Sequence, residues 1–448
     1  MTPRVPVACA TALLAATASV AAQDQPLRLT FGAAVAWAAA EAPTVAAARL
    51  RGDAADARAR QASAALWPGF SAAASFTNRS FNRAVLGLSE PIVPGAPEPD
   101  PLIGPFDLVD GRVYLQQPLL DLGARRRRDA AQAAAGAAHA GTERTAEAAA
   151  AGAALAYLEA ARAGAVVAAR LRDSALAAEL VTLARTQREA EVAIGLDVTR
   201  AETQLVSAAG GLIVARNARA RAYLALARAL GLEADQRLAL LDTLRADLGT
   251  VDLPADRDTL VALARRGRPD LTARAADAAA ARAGVDAITS ERLPRLDLAA
   301  DLGLSGPAVN DMIVTRQIAV QVTLPIIDDL RRGPRLAERR AQAAEADVLV
   351  RDLASQVAAE IDAARYDLDA AAAVLVIAAQ GVRLATDELT QARERFAAGV
   401  AGNLELITAQ VSLLRARDTE IEARYQAAAA RVALARAVGV AHTLGSDR

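Results

Sequence analysis

The sequence predicts a mainly α-helical protein with a membrane β-barrel portion. Each chain is expected to supply four β-strands and long helices that join a coiled-coil barrel. Three observations carry this. One plan occurs twice along the chain. Each copy holds two segments that alternate apolar and polar residues, and each continues into a very long alanine-rich stretch. In the second copy that stretch carries a sustained seven-residue apolar repeat.

The duplication shows in ordered matches. Ala42-Pro43-Thr44-Val45 recurs as Arg268-Pro269-Asp270-Leu271, and Leu66-Trp67-Pro68 as Arg292-Leu293-Pro294, both 226 positions on. Gln117-Pro118-Leu119-Leu120-Asp121 recurs as Leu324-Pro325-Ile326-Ile327-Asp328. Further along, Ala201-Glu202 matches Ala409-Gln410 and Leu226 to Gly231 matches Leu434 to Gly439, both at an offset of 208. An offset that changes once marks one insertion, and the Pro/Gly-rich segment 86–105 reads as that long loop. The repeats are assigned to residues 23–240 and 241–448.

The first residues read as a secretory signal. Arg4 supplies a positive charge, residues 7–22 are apolar and small, and Val20-Ala21-Ala22 before Gln23 fits a cleavage site. Residues 1–22 are therefore expected to be removed. The single cysteine, Cys9, precedes most of the apolar run and does not look like a lipoprotein acceptor. The mature chain is expected to carry neither a lipid anchor nor a disulfide. No later stretch reads as a transmembrane helix: residues 148–158 are apolar but short.

Each half then reads as a short helix, a medium helix, two strands, a very long helix, a tight turn and a medium helix. The strands fall at about 67–83 and 110–118, and at about 294–305 and 314–325. The second pair is the clearer. Leu296, Leu298, Ala300, Leu302 and Leu304 alternate with Arg295, Asp297, Ala299, Asp301 and Gly303. Ile318, Val320, Val322 and Leu324 alternate with Gln317, Ala319, Gln321 and Thr323. That pattern suits a strand between lipid and a wet lumen. The first pair is rich in small residues.

In the second long helix Ile361, Leu368, Leu375, Val382, Leu389 and Phe396 recur every seven residues, with Ala364, Ala371, Ala378, Ala385 and Ala392 between them. The following helix is expected to bury Ile407, Val411, Leu414, Ile421 and Tyr425. Residues 123–190 give 68 positions, or roughly 100 Å of helix. Residues 197–230 give about half that length, and 44–66 would extend it by stacking end to end.

Alanine dominates, lysine is absent and the formal net charge is -1, so nothing draws the chain globally to nucleic acid. There is no HExxH, P-loop or GxSxG motif, and His139 lies far from His442. No enzymatic activity, cofactor or metal is expected. Four strands cannot close a barrel, and lipid does not tolerate open sheet edges. Eight strands, from two chains, would be filled by side chains, whereas three chains give about twelve and leave a lumen.

The chain resembles the TolC family of outer-membrane efflux and secretion channels. The resemblance rests on the duplication, on Gln117-Pro118-Leu119-Leu120-Asp121-Leu122-Gly123-Ala124-Arg125, and on Arg395-Phe396-Ala397-Ala398-Gly399 before Leu404-Glu405-Leu406. It implies a homotrimer with a 12-stranded barrel in the outer membrane and a long helical tunnel in the periplasm. It also implies a periplasmic adaptor and an inner-membrane pump, the duct serving tripartite efflux or type I secretion. The alternative is a secreted periplasmic coiled-coil interaction protein without a channel.

The helical turns are placed near 191–197 and 399–405. In the family, acidic residues just after the second turn constrict the periplasmic entrance. Glu405 falls at the first such position, Thr408 at the second, and Asp197 is the counterpart of Glu405 at the offset of 208. A ring of Glu405 would favour cations; the competing role is to complement a helix dipole. The resemblance makes the turns, with Val192, Gly195, Gly399, Val400, Gly402 and Asn403, the adaptor contacts. Their composition by itself indicates turn chemistry. Arg125, Arg126, Arg127 and Arg128, with Arg331 and Arg332 at the matching place, are expected to form a basic collar that meets lipid headgroups.

Overall fold

A computed structural model of the chain describes residues 26–86, 100–326 and 328–445. The expected signal segment with Arg4 and Cys9, residues 87–99 of the expected loop, and Ile327 lie outside the described residues.

The elements run β1 (Leu27–Leu29), α1 (Phe31–Glu41), α2 (Pro43–Ala64), β2 (Gly69–Asn82), β3 (Leu102–Leu120), α3 (Leu122–Glu189) and α4 (Gly195–Leu230). They continue as β4 (Leu238–Leu240), α5 (Arg257–Gly267), α6 (Pro269–Ser290), β5 (Arg295–Gly306), β6 (Ile313–Thr323), α7 (Asp329–Ala397) and α8 (Asn403–Val438). The helices of the two halves match in length: 11 and 11, 22 and 22, 68 and 69, 36 and 36 residues. The fold class is thus the expected one, mainly helical with a four-stranded antiparallel sheet. β3 runs from Leu102 to Leu120, beginning eight residues before the expected strand at about 110–118.

The chain forms two compact units. One comprises the N-terminal residues to Leu50, His139–Ala273 and Arg351 onward; the other comprises Arg51–Ala138 and Arg274–Val350. Each takes segments from both sequence repeats.

The first unit is helical. Thr30 caps α1 by accepting from the Ala33 N–H at 3.2 Å, and Asp242 accepts from the Phe31 N–H at 2.6 Å. Phe31 meets the buried Tyr157 edge-on at 5.7 Å, within a core of Val35, Leu158, Leu226, Leu230 and Val432. Burial pushes the Tyr157 phenol well up, and its hydroxyl donates to the Leu29 carbonyl at 3.0 Å. A short parallel ladder pairs β1 with β4, which the alternation did not signal.

Helix ends meet as the repeat requires. α4 ends at Gly231, with φ +73°, where a Cβ would strike the Pro43 ring that begins α2. At the corresponding place α8 ends at Gly439, where a Cβ would come within 2.8 Å of the Arg268 backbone, just ahead of α6. Arg268 is buried there, paired with Asp270 at 2.9 Å and Glu360 at 2.6 Å.

The α7 seam follows the heptads: Ile361, Ala364, Ala371, Ala378, Ala385, Leu389, Ala392 and Phe396 are buried, and Leu368, Leu375 and Val382 half-buried. On α8, Ile421 is buried as expected and Tyr425 half-buried, but nearer the turn the seam is displaced by one residue. Leu406, Ala409 and Leu413 are buried, whereas Ile407, Val411 and Leu414 are only half-buried. Phe396, Leu389 and Leu180 of α3 form the pocket that selects Leu406 and Leu413. His442 has a partner that sequence spacing did not disclose. Its Nδ1 lies 2.7 Å from Glu147, which also accepts from the His442 N–H, tying the C-terminal turn to α3.

The second unit holds the sheet, in the order β2-β3-β5-β6 with every pair antiparallel. Its two outer strands, β2 and β6, come one from each repeat.

Three helical stretches are long and apolar enough to cross a membrane by length and composition, Phe31–Ala64, Leu122–Glu189 and Leu330–Ala397, with hydropathies of 1.2, 1.2 and 1.6. This differs from the sequence expectation. Alanine is frequent in all three stretches, and its methyl group buries little apolar area per residue.

Candidate functional site

The sheet register sorts side chains into two opposed faces. In successive rows, Leu298 pairs with Val320 and Ala300 with Ile318, and Leu304 with Val314. Leu115 and Val113 of β3 continue the rows, as do Phe70, Ala72 and Phe76 of β2. The large members stand in the open: Phe70 is 72% exposed, Ile318 74%, Val322 67% and Val320 63%. A soluble protein rarely leaves so extended an apolar face uncovered. Arg316, opposite Leu302, Gln117, opposite Leu298, and the Asn78–Asp107 pair are polar exceptions in this face.

The other face is polar. Arg112 donates to Asp110 at 2.9 Å, to Asp301 of β5, and to the Thr315 hydroxyl of β6 at 3.0 Å. Arg295 pairs with Asp297 at 3.1 Å on the same side. One guanidinium therefore ties three strands together on the wet face. Alternation shows that Asp110 and Arg112 share a face, but the meeting with Asp301 depends on a strand register that links the two repeats.

The arginine run lies in the first turns of α3, in the same unit as the sheet. Asp121 caps this helix, its carboxylate accepting from the Ala124 N–H at 2.7 Å. Arg127 lies 3.4 Å from Asp121, Arg126 3.9 Å from Asp129, and Arg128 2.6 Å from Asp129. Arg125, Arg126 and Arg127 are exposed. Arg331 and Arg332 begin α7, with their N–H groups on the Asp328 carbonyl at 3.0 and 2.9 Å. The carboxylates offset part of the repulsion between these cations and the helix N-terminus.

The two helical turns lie in the helical unit and close identically. Val192 and Ala193 donate to the Gln187 carbonyl at 2.9 and 3.1 Å; Val400 and Ala401 donate to the Arg395 carbonyl at 3.0 and 3.3 Å. Each turn passes through the left-handed region, at Glu191 with φ +60° and at Gly399 with φ +70°. Two hydrogen bonds join the turns side by side. Asn403, 1% exposed, donates to the Asp197 carbonyl at 2.6 Å, and Gln187 donates to the Ala397 carbonyl at 3.1 Å. Val192, Ile194, Leu196, Val400 and Leu404 are half or more exposed around them. Gly195 begins α4 and Gly402 precedes α8.

The acidic positions differ in their partners. Asp197 turns back on its own helix, its carboxylate accepting from the Ile194 N–H at 3.3 Å. Glu405 pairs across its turn with Arg395 at 3.0 Å, both groups being about half exposed. Thr408 donates its hydroxyl to the Leu404 carbonyl at 2.8 Å within α8. The structure thus brings Asp197, Gly399, Asn403, Glu405 and Val192 to one end of the helical unit. Arg395 entered the sequence reading only as part of a motif, not as the counter-charge of Glu405. It lies ten positions away along the chain, and only the turn brings the two together.

Comparison with known proteins places this geometry. A sequence model of the family described as outer membrane efflux protein matches residues 35–232 and 260–440. The chain is 27% identical over 274 residues to the protein CyaE of Bordetella pertussis, an alignment covering 59% of this chain and 56% of CyaE. The chain therefore spans little more than half the length of that curated relative. Among solved structures it resembles the outer membrane protein VceC of Vibrio cholerae, with TM-score 0.75 and 22% identity over 91% of this chain and 96% of that one. It also resembles the CmeC outer membrane channel of Campylobacter jejuni, with TM-score 0.79 and 16% identity over 92% and 86%. The open state of the MtrE outer membrane channel of Neisseria gonorrhoeae gives TM-score 0.71 and 17% identity over 92% and 89%. At these identities the structural likeness is one of fold.

Proposed function

Since this chain belongs to the outer membrane efflux protein family, a family of channels and not of enzymes, we propose that it is one subunit of a trimeric exit duct. In this reading the duct receives substrate from a periplasmic adaptor and an inner-membrane pump, in tripartite efflux or type I secretion, and delivers it across the outer membrane. One observation carries the proposal: a four-stranded sheet with an exposed apolar face, a polar opposite face and strands from both repeats at its outer edges. Closing those edges with further copies is what lipid demands. The apolar rows span ten residue steps along β5, from Leu296 to Gly306. That is about 34 Å of strand, or about 26 Å of height at the tilt usual in membrane barrels, the thickness of a lipid-facing band. Arg316 would reach from this band toward headgroups with its aliphatic stem along the apolar surface.

The remaining assignments follow from that placement. The Arg125 to Arg128 run, with Arg331 and Arg332, would meet anionic headgroups at the periplasmic side of the membrane. The apolar turns around Val192, Gly195, Gly399, Val400, Gly402 and Asn403 would meet the adaptor. Glu405 would set the charge of the entrance, with Arg395 limiting its field and Asp197 and Thr408 beside it. The mature protein would reach the outer membrane through its removed signal segment.

The test is crosslinking from photoreactive residues at Val192 and Val400 in the native host, followed by co-purification. A periplasmic adaptor and an inner-membrane pump are the expected products. Outer-membrane trimers that capture neither would overturn the tripartite reading.

A further inference from the structure

The helical unit leaves two stripes uncovered that fit each other. α3 and α8 are held together by ion pairs: Arg162 to Glu422 at 2.6 Å, Arg170 to Asp418 at 2.7 Å and Arg417 to Asp173 at 2.9 Å. Burial pushes the Glu422 carboxyl up, but hydrogen bonds from Gln426 and Arg162 outweigh it and hold the group below its ordinary value. α4 and α7 also bury a seam, yet each carries a second apolar stripe that stands half or more exposed among the described residues. On α4 this is Val206, Ile213 and Leu224, 73%, 68% and 51% exposed. On α7 it is Tyr366, Ile377 and Leu384, 73%, 69% and 55% exposed.

The spacing of the two stripes is mirrored. The α4 residues are separated by seven and then eleven positions, the α7 residues by eleven and then seven. Seven and eleven residues are each close to a whole number of helical turns, so each trio lies along one line of its helix. α4 leaves the turn region and α7 enters it, so the helices are antiparallel relative to the turns, and mirrored spacing is what face-to-face packing needs. Val206 then meets Leu384, Ile213 meets Ile377 and Leu224 meets Tyr366. Val206 stands eleven residues past the start of α4, and Leu384 thirteen before the end of α7. That difference is about 3 Å of rise, and it is the same for all three pairs.

Charge follows the same register. It sets Arg221 opposite Asp369, both exposed and neither in an ion pair among the described residues. Between residues 203 and 230 α4 carries arginines and no acid, whereas α7 carries Asp367 and Asp369, beside Arg365, at the facing level.

We propose that α4 of one subunit packs along α7 of the next in this register, so that a second copy of the chain covers both stripes. The contact is heterologous, one face giving and the other receiving, which closes into a ring when the rotation allows. It deepens the trimeric reading above and rests on it. It adds which helices meet, in what register and with which ion pair.

The experiment uses two differently tagged full-length chains, both with Cys9→Ser, one carrying Ile213→Cys and the other Ile377→Cys. They are co-expressed and mildly oxidised in outer membranes. The expected result is a covalent dimer containing both tags. The displaced pair Val206→Cys with Ile377→Cys should give none, because it is one heptad out of register. Arg221→Asp should lower the temperature at which the trimer dissociates, and adding Asp369→Arg should restore it. Intact heat-modifiable trimers with no mixed disulfide, or with equal crosslinking of the displaced pair, overturn the register and leave the channel reading in place. Loss of the trimer from the unmodified protein itself overturns both.

Discussion

The first and second repeats build the same backbone from different side chains, and the two turns show it most sharply. Both close on a carbonyl five residues back. Yet the left-handed position is Glu191 in one and Gly399 in the other, and the acid at the helix start caps its own backbone in one and pairs with Arg395 in the other. The strands show the same contrast: in one row of the face, Ala74 and Gly111 of the first repeat stand beside Leu304 and Val314 of the second. Duplication preserved hydrogen bonding and facing, while size and charge diverged. Features that depend on backbone should therefore respond alike in the two halves, and features that depend on side-chain chemistry should respond differently.

The largest effect tests facing. Val320→Arg and Ala74→Arg should each destabilise the assembled barrel by about 2–4 kcal/mol if they lie near the bilayer midplane, despite the difference in native residue size. Gln321→Arg, on the polar face, should leave heat-modifiable assembly intact. Equal tolerance at Val320 and Gln321 would break the two-face account.

Next come the turns. At Gly399 an added Cβ would sit 2.9 Å from the Val192 side chain and in the left-handed region. Gly399→Val should therefore cost about 1–3 kcal/mol locally and reduce export while assembly persists. Glu191→Gly should do the opposite, relieving about 1 kcal/mol. Urea midpoints of the two variants, compared with the parent, give the signs directly.

Asn403 sharpens the comparison further, because its counterpart in the first repeat is Gly195. Asn403→Ala removes the buried bond to the Asp197 carbonyl and should cost about 1–3 kcal/mol. Hydrogen exchange should quicken at both turns if that bond joins them, and at the second turn alone if it does not.

The smallest effect concerns charge. Glu405→Ala should lower the cation preference of single channels, Arg395→Ala should raise it, and Asp197→Ala should change it least because its carboxylate is engaged in capping. Unchanged selectivity in all three would remove Glu405 from the entrance.

Much of this was legible in the sequence, for physical reasons that differ by region. Leu296 to Leu304 and Ile318 to Leu324 announce their strands because lipid selects large apolar side chains at every second residue. β2 is quieter, since Ala72, Ala73 and Ala74 give no contrast between faces. β3 reaches back to Leu102 through Gly104 and Pro105, which read as loop. That end of β3 pairs only with β2, leaving an open side where proline's missing N–H breaks no ladder. The α7 heptads told most of their own core, whereas on α8 Ile421 lies where expected but the seam near the turn was misplaced by one residue, because its neighbours on α3 and α7 choose Leu406 over Ile407. The turns were found by offset alone, but the Asn403 and Arg395 bonds needed the three-dimensional meeting of distant residues.

The central claim is that this chain assembles into a membrane channel. Its most direct test is to purify the protein from outer membranes and record currents in planar lipid bilayers, with the same sample run heated and unheated on a gel. The account predicts an unheated species of trimer size that dissociates to one chain on heating, and stepwise ion conductance from that species. A soluble monomer, absent from the outer-membrane fraction and silent in the bilayer, would contradict it.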